Sequence, residues 1–281
     1  MKSVRHILVE LIRPRGVHGP AAALRLSADM LKELETKVLQ LLPPTSNGPS
    51  APQEGPSDGA EVLSCTLKAL KEGHVVGVPT DTIYGLACLA QNSDAVRKTY
   101  DIKGRNEHKP LAICVGEIQD IYKYCKVKVK EALLGDLLPG PVTLVFERSE
   151  LLNPDLNPFT SVSQLPLVGV RIPDHAFMRR LCQMCAEPLA LTSANISSQS
   201  STVAVHEFQE LWPKLSVVVD GGPIRDDSRL GSTVVDLSVL GKYRIIRPGW
   251  WRTLKQTVGG GETASENLGY QPETQNILMS L

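Results

Sequence analysis

The sequence predicts an α/β domain built on a twisted, mixed sheet. Apolar runs of strand length alternate with segments of helical period, and several of these runs end directly in a polar turn. The last two runs follow one another with no helix between them, which a purely parallel sheet does not permit.

Taken in order, the first 28 residues carry Lys2, Arg5, Arg13, Arg15 and Arg25 against the single acid Glu10, with Ile7, Leu8, Leu11 and Ile12 at helical spacing. Such a start suits either a mitochondrial presequence or a basic tail. Residues 29–42 (DMLKELETKVLQLL) have helical period, and the Pro-, Gly- and Ser-rich 43–59 reads as a linker, so 1–59 is expected to stand outside the domain. The domain is expected over 60–249. It opens with a helix over 62–72 that stops at Gly73 and a strand over 75–79. A helix over 95–100, a strand over 111–115 and a helix over 118–124 follow. Further strands are expected over 142–147, 168–172, 189–192, 217–220, 233–237 and 243–247, with helices over 175–185 and 205–212. Residues 250–281, with a triple glycine, are expected to form a disordered tail.

Composition narrows the function. Thirty basic side chains balance thirty acidic ones, so any site for a polyanion is a local patch. No apolar run reaches the roughly 18 residues of a membrane-spanning helix. Six cysteines without framework spacing read as reduced thiols of an intracellular protein, and the Cys182–Cys185 pair as structural, because no second ligand pair accompanies it. Glycine-rich phosphate loops, zinc-hydrolase and serine-hydrolase motifs are missing from the sequence.

Four polar clusters remain. Pro79-Thr80-Asp81-Thr82-Ile83-Tyr84-Gly85 follows a strand, where open α/β sheets bind ligands, although Thr80 or Asp81 would equally cap a helix. Lys103-Gly104-Arg105 can aim two cations at one anion or form a solvated basic loop, with Lys109 nearby. Thr192-Ser193-Ala194-Asn195 follows a strand and can direct Ser193 and Asn195 to one ligand, or cap a helix. Arg171 and Arg247 each end an apolar strand before proline (VGVRIP, RIIRPG), as salt-bridge partners or anion binders.

The order of these segments (PTDTIYGL, KGR…KPL, LPGPVTLV, VGVRIPDH, LTSANIS, VVDGG, GSTVVDL, IIRPG) resembles the YrdC-like family of threonylcarbamoyl-AMP synthases from about residue 60 to 249. The resemblance implies a twisted α/β fold around a large basic cavity. It implies an enzyme that forms threonylcarbamoyl-AMP and pyrophosphate from L-threonine, bicarbonate and ATP with Mg2+, for a tRNA threonylcarbamoyl transferase to use. It places threonine against Thr80, Arg171 and Ser232, and it places ATP and the bicarbonate-derived carbonyl among Lys103, Arg105, Ser193, Asn195, Ser201 and Arg247. Catalysis would fall to Lys103, Arg105, Ser193 and Asn195. Two positions depart from the family pattern: Lys109 stands where many members have Asn, and Cys114 where they have His. The competing expectation is a non-catalytic RNA-binding module of the same fold, disfavoured by an aromatic content of 5%. The expected home is the cytoplasm with a mitochondrial fraction.

Overall fold

The computed structural model describes residues 36–41, 58–104, 110–157, 166–224 and 228–250. In chain order they form β1 (Lys37–Gln40), α1 (Asp58–Lys71), β2 (Val76–Val78), β3 (Gly85–Leu89), α2 (Ser93–Lys103), β4 (Ala112–Cys114), α3 (Ile118–Tyr124) and β5 (Cys125–Lys126). There follow α4 (Glu131–Leu137), β6 (Val142–Arg148), β7 (Leu167–Arg171), α5 (Ala176–Cys185), β8 (Leu189–Ser193), β9 (Val217–Asp220), β10 (Thr233–Asp236) and β11 (Arg244–Arg247). Two 3-10 helices, Pro154–Leu156 and Val205–Lys214, complete the described elements. No helix among the described residues is long and apolar enough to cross a membrane.

Helix ends follow the local sequence. Asn92 caps α2, its side-chain oxygen accepting from the Ala95 N–H at 3.0 Å, and Gly104 ends the helix in the left-handed conformation at φ 53°. Gly73 does the same after α1, at φ 77°.

One sheet runs β1-β9-β2-β3-β8-β4-β7-β6-β10-β11, with β5 paired to β6. Parallel pairs (β1 with β9, β4 with β7, β6 with β10) sit beside antiparallel ones (β3 with β8, β6 with β7), so the sheet is mixed as expected. Side-chain alternation divides its residues between two layers. On one face Tyr100, Ile121, Leu134 and Phe208 pack over Leu86, Ile113, Leu144, Phe146, Val168 and Val170. On the other, α1 (Val62, Leu70) and α5 (Phe177, Met178, Leu181) cover Val78, Ala87, Leu89, Leu189, Leu191 and Val219.

This second layer reaches Cys114 of β4 and takes in no residue of β7, β6 or β10. There, alternation leaves Gly169, Arg171, Thr143, Val145 and Val234 on the half of the face outside that layer. Arg171 and Thr143 are buried polar residues on that half, which marks it as the place to look for a ligand.

Several expectations need correction. Lys37–Gln40, expected within a helix, is a strand paired in parallel with β9, Lys37 opposite Val217 and Gln40 opposite Asp220. The partner strand, 180 residues on, overrides a helical period of a few residues. No helix begins after Pro79; a second strand, β3, follows the turn. Residues 205–214 form a 3-10 helix kinked at Phe208, not an α-helix, with Pro213 inside it. Helix α4 and strand β5 had no expectation. The presequence over 1–28 and the tail from 251 onward lie outside the described residues.

Candidate functional site

Two polar clusters form, and the turn at 79–84 touches both. In the first, Lys103 ends α2 and is 2% exposed, buried despite its charge. Its ammonium donates to the carbonyl oxygens of Ser193 at 2.5 Å and Asn195 at 2.6 Å, and lies 3.2 Å from Ser193 Oγ and 3.3 Å from Asn195 Oδ1. Asn195 Nδ2 in turn donates to the carbonyls of Ile196 and Gln199, each at 2.8 Å, closing the turn after β8. Ser193 and Asn195 therefore converge as their spacing predicts, with Lys103 at the focus. Asn195 caps no helix.

In the second cluster, β7 ends at Arg171 while β6 and β10 begin beside it. Arg171 Nη2 donates to Asp81 Oδ1, and its two terminal nitrogens lie 3.5 and 3.4 Å from Thr82 Oγ1. Asp81 Oδ2 accepts from the Asp174 N–H at 3.0 Å. Thr143 and Ser232, both buried, share a hydrogen bond of 2.7 Å. Arg247 Nη2 donates to the Ser232 carbonyl at 3.0 Å. Partial burial of the Arg247 guanidinium, and then the charge of Arg171, hold its pKa below the ordinary arginine value. Two guanidiniums close enough to repel each other form an arrangement that an anion would stabilise.

The turn joining the clusters is held by its own side chains. Thr80 Oγ1 accepts from the N–H groups of Thr82 at 3.1 Å and Ile83 at 3.2 Å, and donates to the Ile83 carbonyl at 2.7 Å. The Thr80 hydroxyl is thus engaged within its turn. Tyr84 leads into β3, with its hydroxyl donating to the Gly222 carbonyl at 2.7 Å. Beyond it, the Ala194 N–H donates to the Tyr84 carbonyl at 2.9 Å, linking the turn to the Lys103 cluster.

Of the other sequence candidates, Ser201 offers its carbonyl to Arg229 Nη1 at 3.1 Å, while Arg229 pairs with both oxygens of Glu207, at 2.7 and 2.9 Å. Cys114 is buried 3.5 Å from Cys182 Sγ, and Cys185 is buried on the same helix. Arg105 and Lys109 lie outside the described residues. Sequence reasoning missed Thr143; its only signal is a lone hydroxyl on a strand otherwise apolar on both sides (PVTLVF). A cavity of about 280 Å3, bordered by Glu117, Asp120, Cys182 and Glu187, is lined by no residue of the two polar clusters. Among the described residues no group of three or more His, Cys, Asp or Glu could hold a metal ion.

Comparison with known proteins fits this geometry. The family model Sua5/YciO/YrdC, described as "Telomere recombination", matches residues 68–249, which hold every residue of both clusters. A threonylcarbamoyl-AMP synthase from Bos taurus is 56% identical over 238 residues, covering 82% of this chain and 84% of the relative. Sua5 of P. abyssi, in a crystal structure complexed with L-threonine, superposes with a TM-score of 0.64 at 27% identity, over 80% of this chain and 61% of Sua5. Full-length HypF in a phosphate- and nucleotide-bound form gives a TM-score of 0.57 at 26% identity, over 66% of this chain and 28% of HypF. With the matched segment spanning well over half of its length and both polar clusters, the chain belongs to the Sua5/YciO/YrdC family.

Proposed function

We infer that this chain is a threonylcarbamoyl-AMP synthase, a nucleotidyltransferase that joins L-threonine, bicarbonate and ATP into threonylcarbamoyl-AMP and releases pyrophosphate. The product serves the threonylcarbamoyladenosine modification of tRNA next to the anticodon, through a tRNA threonylcarbamoyl transferase. The observation that carries this function is the pair Arg171 and Arg247, two guanidiniums flanking the Thr143–Ser232 hydroxyl pair. The relative named for this activity, Sua5 with L-threonine and nucleotide-bound HypF support it.

The chemistry suits these groups. The threonine amine attacks the carbon of bicarbonate, one C–O bond breaks, and that oxygen leaves as water with a proton from the amine, giving a carbamate. A carbamate oxygen then attacks the α-phosphorus of ATP, and the bond to pyrophosphate breaks. Negative charge gathers at each stage, so preorganised cations and N–H or O–H donors supply the main stabilisation. In this proposal Arg171 holds the threonine carboxylate, and Thr80 and Ser232 line the same subsite. Lys103, Arg105, Ser193, Asn195, Ser201 and Arg247 surround the nucleotide and the carbonyl group, forming the basic cavity. Mg2+ enters with the substrate as MgATP, carried by the phosphate oxygens. The enzyme works in the cytoplasm with a mitochondrial fraction, a proposal motivated by the Arg-rich first 28 residues.

Mass-spectrometric detection of threonylcarbamoyl-AMP, with threonine, bicarbonate and ATP omitted in turn, tests the reaction. Pyrophosphate released without regard to threonine, or RNA bound with no product formed, refutes it.

A further inference from the structure

We propose that Asp81 is the positioning residue for Arg171, clamping one end of its guanidinium so that the remaining buried N–H meets the α-carboxylate of the amino-acid substrate. The proposal rests on the assignment of Arg171 to that carboxylate.

The hydrogen-bond pattern separates this role from simple charge neutralisation. A carboxylate that only neutralises a buried arginine is best placed face to face with it, both oxygens on two N–H groups. Asp81 instead gives one oxygen to Arg171 Nη2 and spends the other on the Asp174 backbone N–H at 3.0 Å. Thr82 Oγ1, at 3.4 to 3.5 Å, lies on the terminal nitrogens as well. Arg171 Nε is buried and has no hydrogen-bond partner among the described residues. Buried donors are almost always satisfied, and one left over calls for an acceptor.

Charge points the same way. Arg171 and Arg247 bring two positive charges and Asp81 one negative, while Asp174 is engaged by Arg179 at 2.7 Å. One positive charge remains in excess, so the cluster as a whole favours an anionic substrate group. The Asp174 anchor restrains the clamp, because Asp174 lies two residues before α5 and its own carboxylate accepts from Arg179 Nη1 of that helix at 2.7 Å. Threonine thus meets a guanidinium already oriented and does not have to organise it on binding.

Pyrophosphate release by the full-length protein, titrated separately with threonine and ATP, tests the proposal. Asp81→Asn keeps the size of the side chain but replaces one acceptor with a donor, so the clamp between Arg171 and Asp174 cannot form. The expected result is a threonine KM raised about tenfold or more, with the ATP KM within about twofold of wild type. If that variant does not fold, Asp81→Glu, which keeps the charge but moves it by one methylene, is read in the same assay with the same expectation. An unchanged threonine KM in the folded variant, or equal rises for both substrates, overturns the proposal. Arg171→Lys separates the two levels of inference. A normal threonine KM there removes Arg171 from the carboxylate, whereas a raised one beside a wild-type value in Asp81→Asn refutes only the clamp.

Discussion

The ammonium group of Lys103 sits between the carbonyl oxygens of Ser193 and Asn195, 2.5 Å from one and 2.6 Å from the other. A residue expected to work on substrate is therefore also the fastener of the turn that carries two other candidates. Lys103→Ala should leave both carbonyls without their donor, costing about 3 kcal/mol and lowering Tm by roughly 6–12 °C, together with loss of turnover. Arg105→Ala should cut turnover about a hundredfold with Tm unchanged. Calorimetry showing a wild-type Tm for Lys103→Ala would remove its fastening role.

Gly249 approaches the chain at Gly231 so closely that a Cβ would overlap the Gly231 carbonyl oxygen and the backbone of Ser232 and Thr233. Gly249→Ala should push the end of β11 outward, break the Arg247–Ser232 contact and destabilise the fold by about 1–3 kcal/mol. The ATP KM should rise with it. Gly135→Ala, in open space on α4, is the control and should stabilise by about 0.5–1 kcal/mol. Urea unfolding of the two variants should move in opposite directions.

Burial pushes the thiols of Cys88 and Cys125 from 9.0 up to about 12 and that of Cys185 to about 11. Each is raised on folding, so its contribution to stability is complete below pH 9, where both states hold the proton. It is lost as pH climbs from the unfolded value toward the folded one, because the unfolded chain ionises first. Stability in reductant should fall from pH 9 upward by about 1.4 kcal/mol per pH unit for each thiol. Tyr84, raised by burial from 10.0 to about 12, adds a further proton above pH 10. Denaturant midpoints that stay level from pH 8.5 to 10.5 would contradict this.

Strand β1 gives truncation a sharp boundary. Removing residues 1–35 should keep Tm and synthesis intact. Removing 1–41 strips β1 from β9, uncovers the edge beside Val217 and Val219, and should lower Tm measurably. Equal thermal stability of the two truncated proteins would show that β1 contributes nothing to the fold. A fluorescent reporter fused to 1–59 separately tests the mitochondrial fraction, and wholly cytosolic fluorescence would remove it.

Much of the architecture was legible in the sequence because strands buried on both faces read as apolar runs. Residues 217–220 form a strand with the expected limits, and the mixed character follows from the two late strands. β3 was hidden because Gly-Leu-Ala-Cys-Leu is too short and uniform to show a period, although all five residues are buried. β1 was misread because its state is decided by a partner far along the chain. Within the site, strand ends singled out Arg171 and Arg247, while Ser232 was reached only through the family resemblance. The Asp81–Arg171 pair, 90 residues apart, and the Thr143–Ser232 pair, 89 apart, are products of register and have no local signature.

The strand order has a consequence for biosynthesis. β9 lies between β1 and β2, so two strands made early, within the first 78 residues, wait for residues 217–220 before they gain a common neighbour. On the ribosome, the hairpins β2-β3 and β6-β7 can form as they emerge, but half of the sheet cannot close until most of the chain has been made. A message cut short before codon 217 would therefore yield a chain whose β2 keeps an open apolar edge, a substrate for chaperones and proteases and not a smaller working enzyme.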